Sequence, residues 1–207
     1  MKCCISRLYL AFLLFFIVIN PCLAVEGIQR VLISNAAQPS GVALSDKNLA
    51  FLDTQGLHID DVKNTINQEG TALGVFAYKN TWWVANPLKR EIINIDNAGH
   101  LIKKLDVSQT AESKNTPEPV AVAVSNEIVY WADRANHRVC RFDLVKNSAL
   151  ACFGQRGEMD GEFQYPFQMT FDRDGYLYVV DIMNSRIQQF DKNGRFFASI
   201  GTFGVNS

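Results

Sequence analysis

Two short constellations hold the side chains best suited to chemistry. Asp133, Asn136 and Arg138 recur as Asp181, Asn184 and Arg186, 48 residues downstream, and His137 sits inside the first set. A carboxylate, an amide and a guanidinium so close in sequence could form a polar site. Alternatively, an Asp at a strand end accepts backbone N–H bonds from a loop, while an Arg on the next strand bridges to it with a planar fork. Repetition favours the second role, because a catalytic set is needed once and a structural set once per repeating unit. These six residues are therefore read as a structural motif.

Other groups offer less. His58, His100 and His137 are isolated, with no His-x-His or His-x-x-Glu spacing, so no metal ligand set and no cofactor are expected. Asp172-x-Asp174-Gly175 resembles the start of a calcium loop but lacks the later oxygen ligands and closing Glu, and reads as a hairpin turn. No Gly-x-Ser-x-Gly nucleophile motif occurs, and Gly154-Gln155-Arg156-Gly157 precedes a strand where phosphate binding needs a helix. Trp82, Trp83, Trp131, Tyr130, Tyr176 and Tyr178 could stack a sugar or base. Trp83, Tyr130 and Tyr178 share one aligned position, however, and large residues alternating along a strand are expected to pack between sheets.

The elements that position these residues form a repeat. Aligning Val-Val-Asp181 with Trp-Ala-Asp133, Val-Ala-Asn86 and Phe-Leu-Asp53 gives spacings of 48, 47 and 33 residues, a period that points to a repeat architecture. The last unit is the clearest, with strands expected at 168–171, 176–180, 186–190 and 195–200, and Asp172 to Gly175 and Asn193-Gly194 as turns. The third unit places strands at 120–124, 127–133, 138–142 and 149–153, and the second at 74–78, 81–85, 91–95 and 101–105. In the first, strands at 41–44, 48–52 and 57–60 are followed by a fading signal. No helical period is visible after the N-terminal segment. Four-stranded sheets with two apolar faces are stable only when packed against neighbours, which predicts an all-β β-propeller of about four blades.

Pro166, the Asp-Arg-Asp-Gly turn, Leu-Tyr-Val-Val-Asp181, Asn184-x-Arg186-Ile187 and Phe190-Asp191 closely resemble the NHL repeat, as do Asp133, Asn136-His137-Arg138-Val139 and Phe142-Asp143. The resemblance is strong over 117–204 and weak over 25–105, where Asn86 replaces the acid and Lys89 and Glu91 stand in place of the Asn and Arg. It implies blades at roughly 25–66, 67–110, 117–160 and 161–207, an incomplete ring of the six-bladed type, and self-association through open blade ends. Ser199 to Gly204 matches Ala151 to Gly157, which in the preceding unit leads into another blade.

Lys2 and Arg7, the apolar stretch Leu8–Ile19, the Asn20-Pro21 break and Cys22-Leu23-Ala24 read as a signal peptide cleaved after Ala24, giving a periplasmic or secreted protein. The stretch is shorter than the roughly 20 residues of a membrane span, so no stable span is expected after cleavage. Cleavage removes two cations and no acid, taking the formal charge from −1 to −3, which implies no field for nucleic acid. Of five cysteines, Cys140 and Cys152 remain. The Asn193-Gly194 turn sets Gln188 opposite Ser199, and Cys140 and Cys152 align with that pair. With one extra residue in the Leu144–Ser148 connection, and Asn147 in αL, they oppose each other and form a disulfide.

The function expected from these features is a non-catalytic binding scaffold for a protein or small polar ligand. Loops between second and third strands and loops between blades emerge at one end, gathering Arg134, Asn136, His137, Gln155, Arg156, Tyr165, Met183 and Asn184 as a binding surface. The alternatives are a metal-dependent lyase or lactonase on the same framework, or a truncated fragment without independent function.

Overall fold

The computed structural model of the protein describes residues 40–45, 48–59, 72–108 and 115–201. The segment expected to be a signal peptide, the chain before the first blade strand, the faded end of the first unit and residues 202–207 lie outside them. The first sheet holds β1 (Gly41–Leu44), β2 (Leu49–Asp53) and β3 (Gly56–Ile59), and the second holds β4 (Gly74–Tyr78), β5 (Thr81–Asn86), β6 (Glu91–Ile95) and β7 (Leu101–Asp106). The third comprises β8 (Pro119–Ser125), β9 (Ile128–Asp133), β10 (Arg138–Asp143) and β11 (Ser148–Phe153). In the fourth are β12 (Pro166–Phe171), β13 (Leu177–Asp181), β14 (Arg186–Phe190) and β15 (Phe196–Ile200). Every sheet is an antiparallel meander, and the architecture is a four-bladed, all-β propeller whose first blade shows three strands among the described residues.

Local chemistry explains the hairpins. Asp96, Asp172 and Asp191 each close the turn between strands by accepting, through Oδ1, the N–H groups two and four residues ahead. Such an Asx turn leaves the next position in the left-handed region, where Gly99, Gly175 and Gly194 stand at φ of 89°, 85° and 84°. The calcium-like Asp172-x-Asp174-Gly175 segment is thus one of three copies of the same turn. Sequence reading missed one detail, a single 3-10 turn after the second strand of each later blade, at Arg134–Asn136 and Ile182–Asn184.

The blades associate through their alternating faces. β1 packs on β4, β4 on β8, and β8 on β12. Between blades 1 and 2, Ala50, Leu52, Leu57 and Ile59 meet Trp82, Val84, Ile93 and Ile95. Blades 2 and 3 are joined by Trp83, Ala85 and Ile92 against Val122, Val129, Trp131 and Cys140. Tyr130, Ala132 and Val139 meet Met169, Leu177, Val179 and Phe190 between blades 3 and 4. Trp83 and Tyr130, which share an aligned position, are both buried in these joints. At the narrow inner edge a Cβ on Gly74 would lie 2.7 Å from the Cα of Ala121, so only glycine lets β4 approach β8 this closely.

Cys140 and Cys152 form a disulfide within blade 3. The extra residue lies in the Leu144–Ser148 connection, as expected: Asp143 and Ser148 pair around residues 144–147, whereas Asp191 and Arg195 of blade 4 enclose residues 192–194. Arg141 pairs with Leu150, whereas Val139 pairs with Phe153, so the register shifts at Cys140 through a bulge. Asn147 does take the left-handed conformation, at φ 50°. Comparable shifts occur in the outer hairpins of blades 2 and 4.

Candidate functional site

The turns after β2, β5, β9 and β13 lie at one end of the blades, and the motif residues are grouped there. Asp181 is 0% exposed. Its Oδ1 accepts the Gln164 N–H at 2.6 Å, and its Oδ2 accepts from Asn184 Nδ2 at 2.8 Å and Arg186 Nε at 2.9 Å. Gln188 Nε2 adds a longer bond at 3.3 Å. Asp133 repeats the arrangement with the Glu118 N–H at 3.1 Å, Asn136 Nδ2 at 2.9 Å and Arg138 Nε at 3.0 Å. Each carboxylate therefore ties the incoming linker, the 3-10 turn and the next strand to one point. In blade 2, among the described residues, Asn86 accepts the local Lys89 N–H, and Glu91 pairs with Lys104.

Arg186 extends this anchor, since its Nη2 donates to the carbonyls of Met159 and Glu162 at 2.8 and 2.9 Å. Asn184 reaches the Gly157 carbonyl at 2.9 Å. The linker 154–165 is thus held from beneath by side chains of the blade that follows it.

His137 joins blade 3 to the same linker. Its backbone is left-handed at φ 54°, ending the 3-10 turn, and its Nδ1 accepts the Tyr165 N–H at 3.2 Å. The Tyr165 ring stands edge-on to the imidazole at 4.6 Å. Burial, reinforced by the Arg156 guanidinium, lowers the His137 pKa from its ordinary value of 6.5. A neutral ring is what an acceptor at Nδ1 requires.

Of the eight residues expected to form a binding surface, the structure divides the set. His137 and Asn184 are buried and engaged within the fold, and Asn136 is half-buried, bonded to Asp133 and to the Asn115 backbone. Arg134 pairs with Glu118 at 3.1 Å, and Gln155 donates to Glu162 at 2.7 Å. Arg156, Tyr165 and Met183 are exposed. Tyr165 and Met183 are drawn together because the Met183 N–H donates to the carbonyl of Gln164. Ile182, at 49% exposure, belongs with them. Its place in the sequence, just after a motif Asp, was the available signal, but it looked like an ordinary strand-end apolar residue.

The three histidines fall in different blades: His58 bonds Asp53 at 2.9 Å and stacks on Phe51, while His100 bonds Asp96 at 3.0 Å. No group of three His, Cys, Asp or Glu side chains able to hold a metal is found among the described residues. An open cleft of about 330 Å³ lies between β7 and blade 3, lined by Lys103, Lys104, Leu105, Trp131 and Phe142 among others. Its walls come from the strands and outer hairpin, and no motif residue faces it.

No family model matches the chain. A segment of 56 residues, 27% of the chain, is 34% identical to protein lin-41 of Caenorhabditis elegans, of which it spans 5%. Among solved structures, a chain of a nidogen/laminin complex superposes with a TM-score of 0.60 at 14% identity, covering 81% of this chain and 65% of the other. A streptogramin B lyase gives a TM-score of 0.61 at 11% identity, with 83% and 56% covered. This chain therefore spans less than two thirds of each of these proteins. At such identities the likeness establishes the β-propeller fold alone.

Proposed function

We propose that the chain is an exported, non-catalytic NHL-type propeller that binds a protein or small polar ligand at the motif end of blades 3 and 4. The observation that carries this reading is the cluster of Arg156, Tyr165, Ile182 and Met183, exposed on backbone anchored by Asp181, Asn184, Arg186 and His137. Recognition is usually placed on loops held by a rigid frame. Aromatic and Arg side chains are common anchors of binding surfaces. The carboxylates of Asp133 and Asp181 and the His137 ring already have partners inside the frame, which leaves them poorly suited to acid–base work on a ligand.

The Asp-Asn-Arg motif in two successive blades supports the NHL-type assignment. Export is supported by the basic start and apolar stretch of the leader and by a disulfide that suits an oxidising compartment. The fold by itself accommodates both binding proteins and enzymes, as its structural neighbours illustrate.

Cross-linking in the exporting cell, comparing the native chain with Arg156→Glu/Met183→Glu, tests the reading. The native chain is expected to yield a discrete cross-linked partner that the variant loses while keeping its melting temperature. Identical cross-links from both chains, or turnover of lyase or lactonase substrates by the native chain, would overturn the scaffold assignment. Recovery of Met1 on protein from the cytoplasm, where the exported chain should begin at Val25, would overturn export.

A further inference from the structure

The faces of blades 1 and 4 turned away from blades 2 and 3 are built as blade-to-blade contact surfaces. On the fourth blade, Tyr178, Val180, Ile187 and Ile200 share the face turned away from blade 3, as strand alternation and the pairs Val180↔Ile187 and Ile187↔Ile200 require. Their equivalents one blade earlier are Tyr130, Ala132, Val139 and Phe153, placed by the pairs Ala132↔Val139 and Val139↔Phe153. Those four are packed in the joint against Met169, Leu177, Val179 and Phe190. In blade 4 the same positions are half-buried or, for Ile200, 57% exposed.

At the opposite end, blade 1 presents Val42, Leu44, Leu49, Phe51 and His58 on one face. Register equates these with Met169, Phe171, Leu177, Val179 and Gln188 of blade 4. Three of that set, Met169, Leu177 and Val179, are buried against blade 3, and Phe171 packs beside them. Val42 and Leu44 are instead 44% and 50% exposed. The chain thus carries a leading face and a trailing face of one interface type. Neither set contains a charged side chain apart from the ionisable His58, which bonds Asp53, so charge does not oppose their contact.

We propose that the trailing face of blade 4 receives the leading face of blade 1 from a second copy of this chain. The contact reproduces the joint between blades 3 and 4, with an aromatic at the Tyr178 position entering among the Val42, Leu49 and Phe51 side chains. Because the two faces differ, the interface is heterologous, and copies add head to tail. This surface is distinct from the loop-end cluster and stands independently of the ligand-binding proposal.

The test uses Leu44→Lys on the leading face and Ile200→Lys on the trailing face, both at side chains already exposed in the folded chain. In size exclusion with light scattering, the native chain should show an average mass that rises with concentration to at least about twice that of one chain. Each variant alone should run as a monomer. An equal mixture should form a pair, because Leu44→Lys retains its trailing face and Ile200→Lys retains its leading face. A native chain that stays monomeric across the concentration range would overturn the proposal, as ring closure within one chain or cover by its own termini would produce. Variants that associate like the native chain, or a mixture of folded variants that remains monomeric, would overturn it equally. If either variant fails to melt cooperatively, the concentration series on the native chain still decides.

Discussion

Replacing Asp181 by Ala is expected to destabilise the fourth blade severely. The carboxylate is 0% exposed and the Arg186 side chain 11% exposed. Truncation removes bonds at 2.6, 2.8 and 2.9 Å from Gln164 N–H, Asn184 and Arg186, and the longer bond from Gln188. Asn184 keeps the Gly157 carbonyl, and Arg186 keeps the carbonyls of Met159 and Glu162. The Gln164 N–H and the positive charge are then left uncompensated. Removing one partner of a buried pair costs about 3–5 kcal/mol. In a protein of this size that lowers the melting temperature by roughly 6–20 °C. Calorimetry of the native chain, Asp181→Ala, Arg186→Ala and Asp181→Ala/Arg186→Ala measures both the loss and its source. If the stranded guanidinium dominates, the double variant falls short of the sum of the single effects by about 0.5–3 kcal/mol. A melt of Asp181→Ala within about 1 °C of the native chain would refute the anchoring role. Coupled with loss of ligand binding, it would return Asp181 to the list of functional groups.

His137 provides a pH signature. Its folded pKa lies below 6.5 because the ring is buried and faces Arg156, with Asp181 and Asp133 opposing that shift, so the unfolded chain takes up the proton first. The stabilisation is complete above the unfolded pKa and is lost as pH falls through the folded value. Urea midpoints should therefore drop as pH falls below 6.5 in the native chain and change less in His137→Asn, which tolerates the left-handed backbone. Reduction of the Cys140–Cys152 disulfide, which closes a loop with a sequence separation of 12, should lower stability by about 3 kcal/mol. Thiol titration under denaturing conditions should find no free thiol in exported protein. Gly74→Ala should cost about 1–3 kcal/mol in urea denaturation by pushing β4 from β8. An unchanged midpoint would show that the inner edge can yield.

The sequence alone determined the blade plan of this protein, because strand alternation and turn chemistry are local and recur with the repeat. The Asp133 and Asp181 motifs, the Asp172 and Asp191 turns and the pairing of Gln188 with Ser199 all follow from periods of two residues and of one blade. Tertiary structure decided which polar residues remain available. His137 and Asn184 looked like loop-end groups, yet the linker 154–165 folds over them, a long-range closure with no signal in their spacing. The bulge beside Cys140, matched in the outer hairpins of blades 2 and 4, is likewise decided by packing, since strand alternation alone does not say where a ladder shifts. Ile182 also came out exposed, on the turn whose Met183 N–H meets the Gln164 carbonyl. A residue's exposure depends on which distant backbone crosses it, and the local pattern of apolar and polar residues does not encode that crossing.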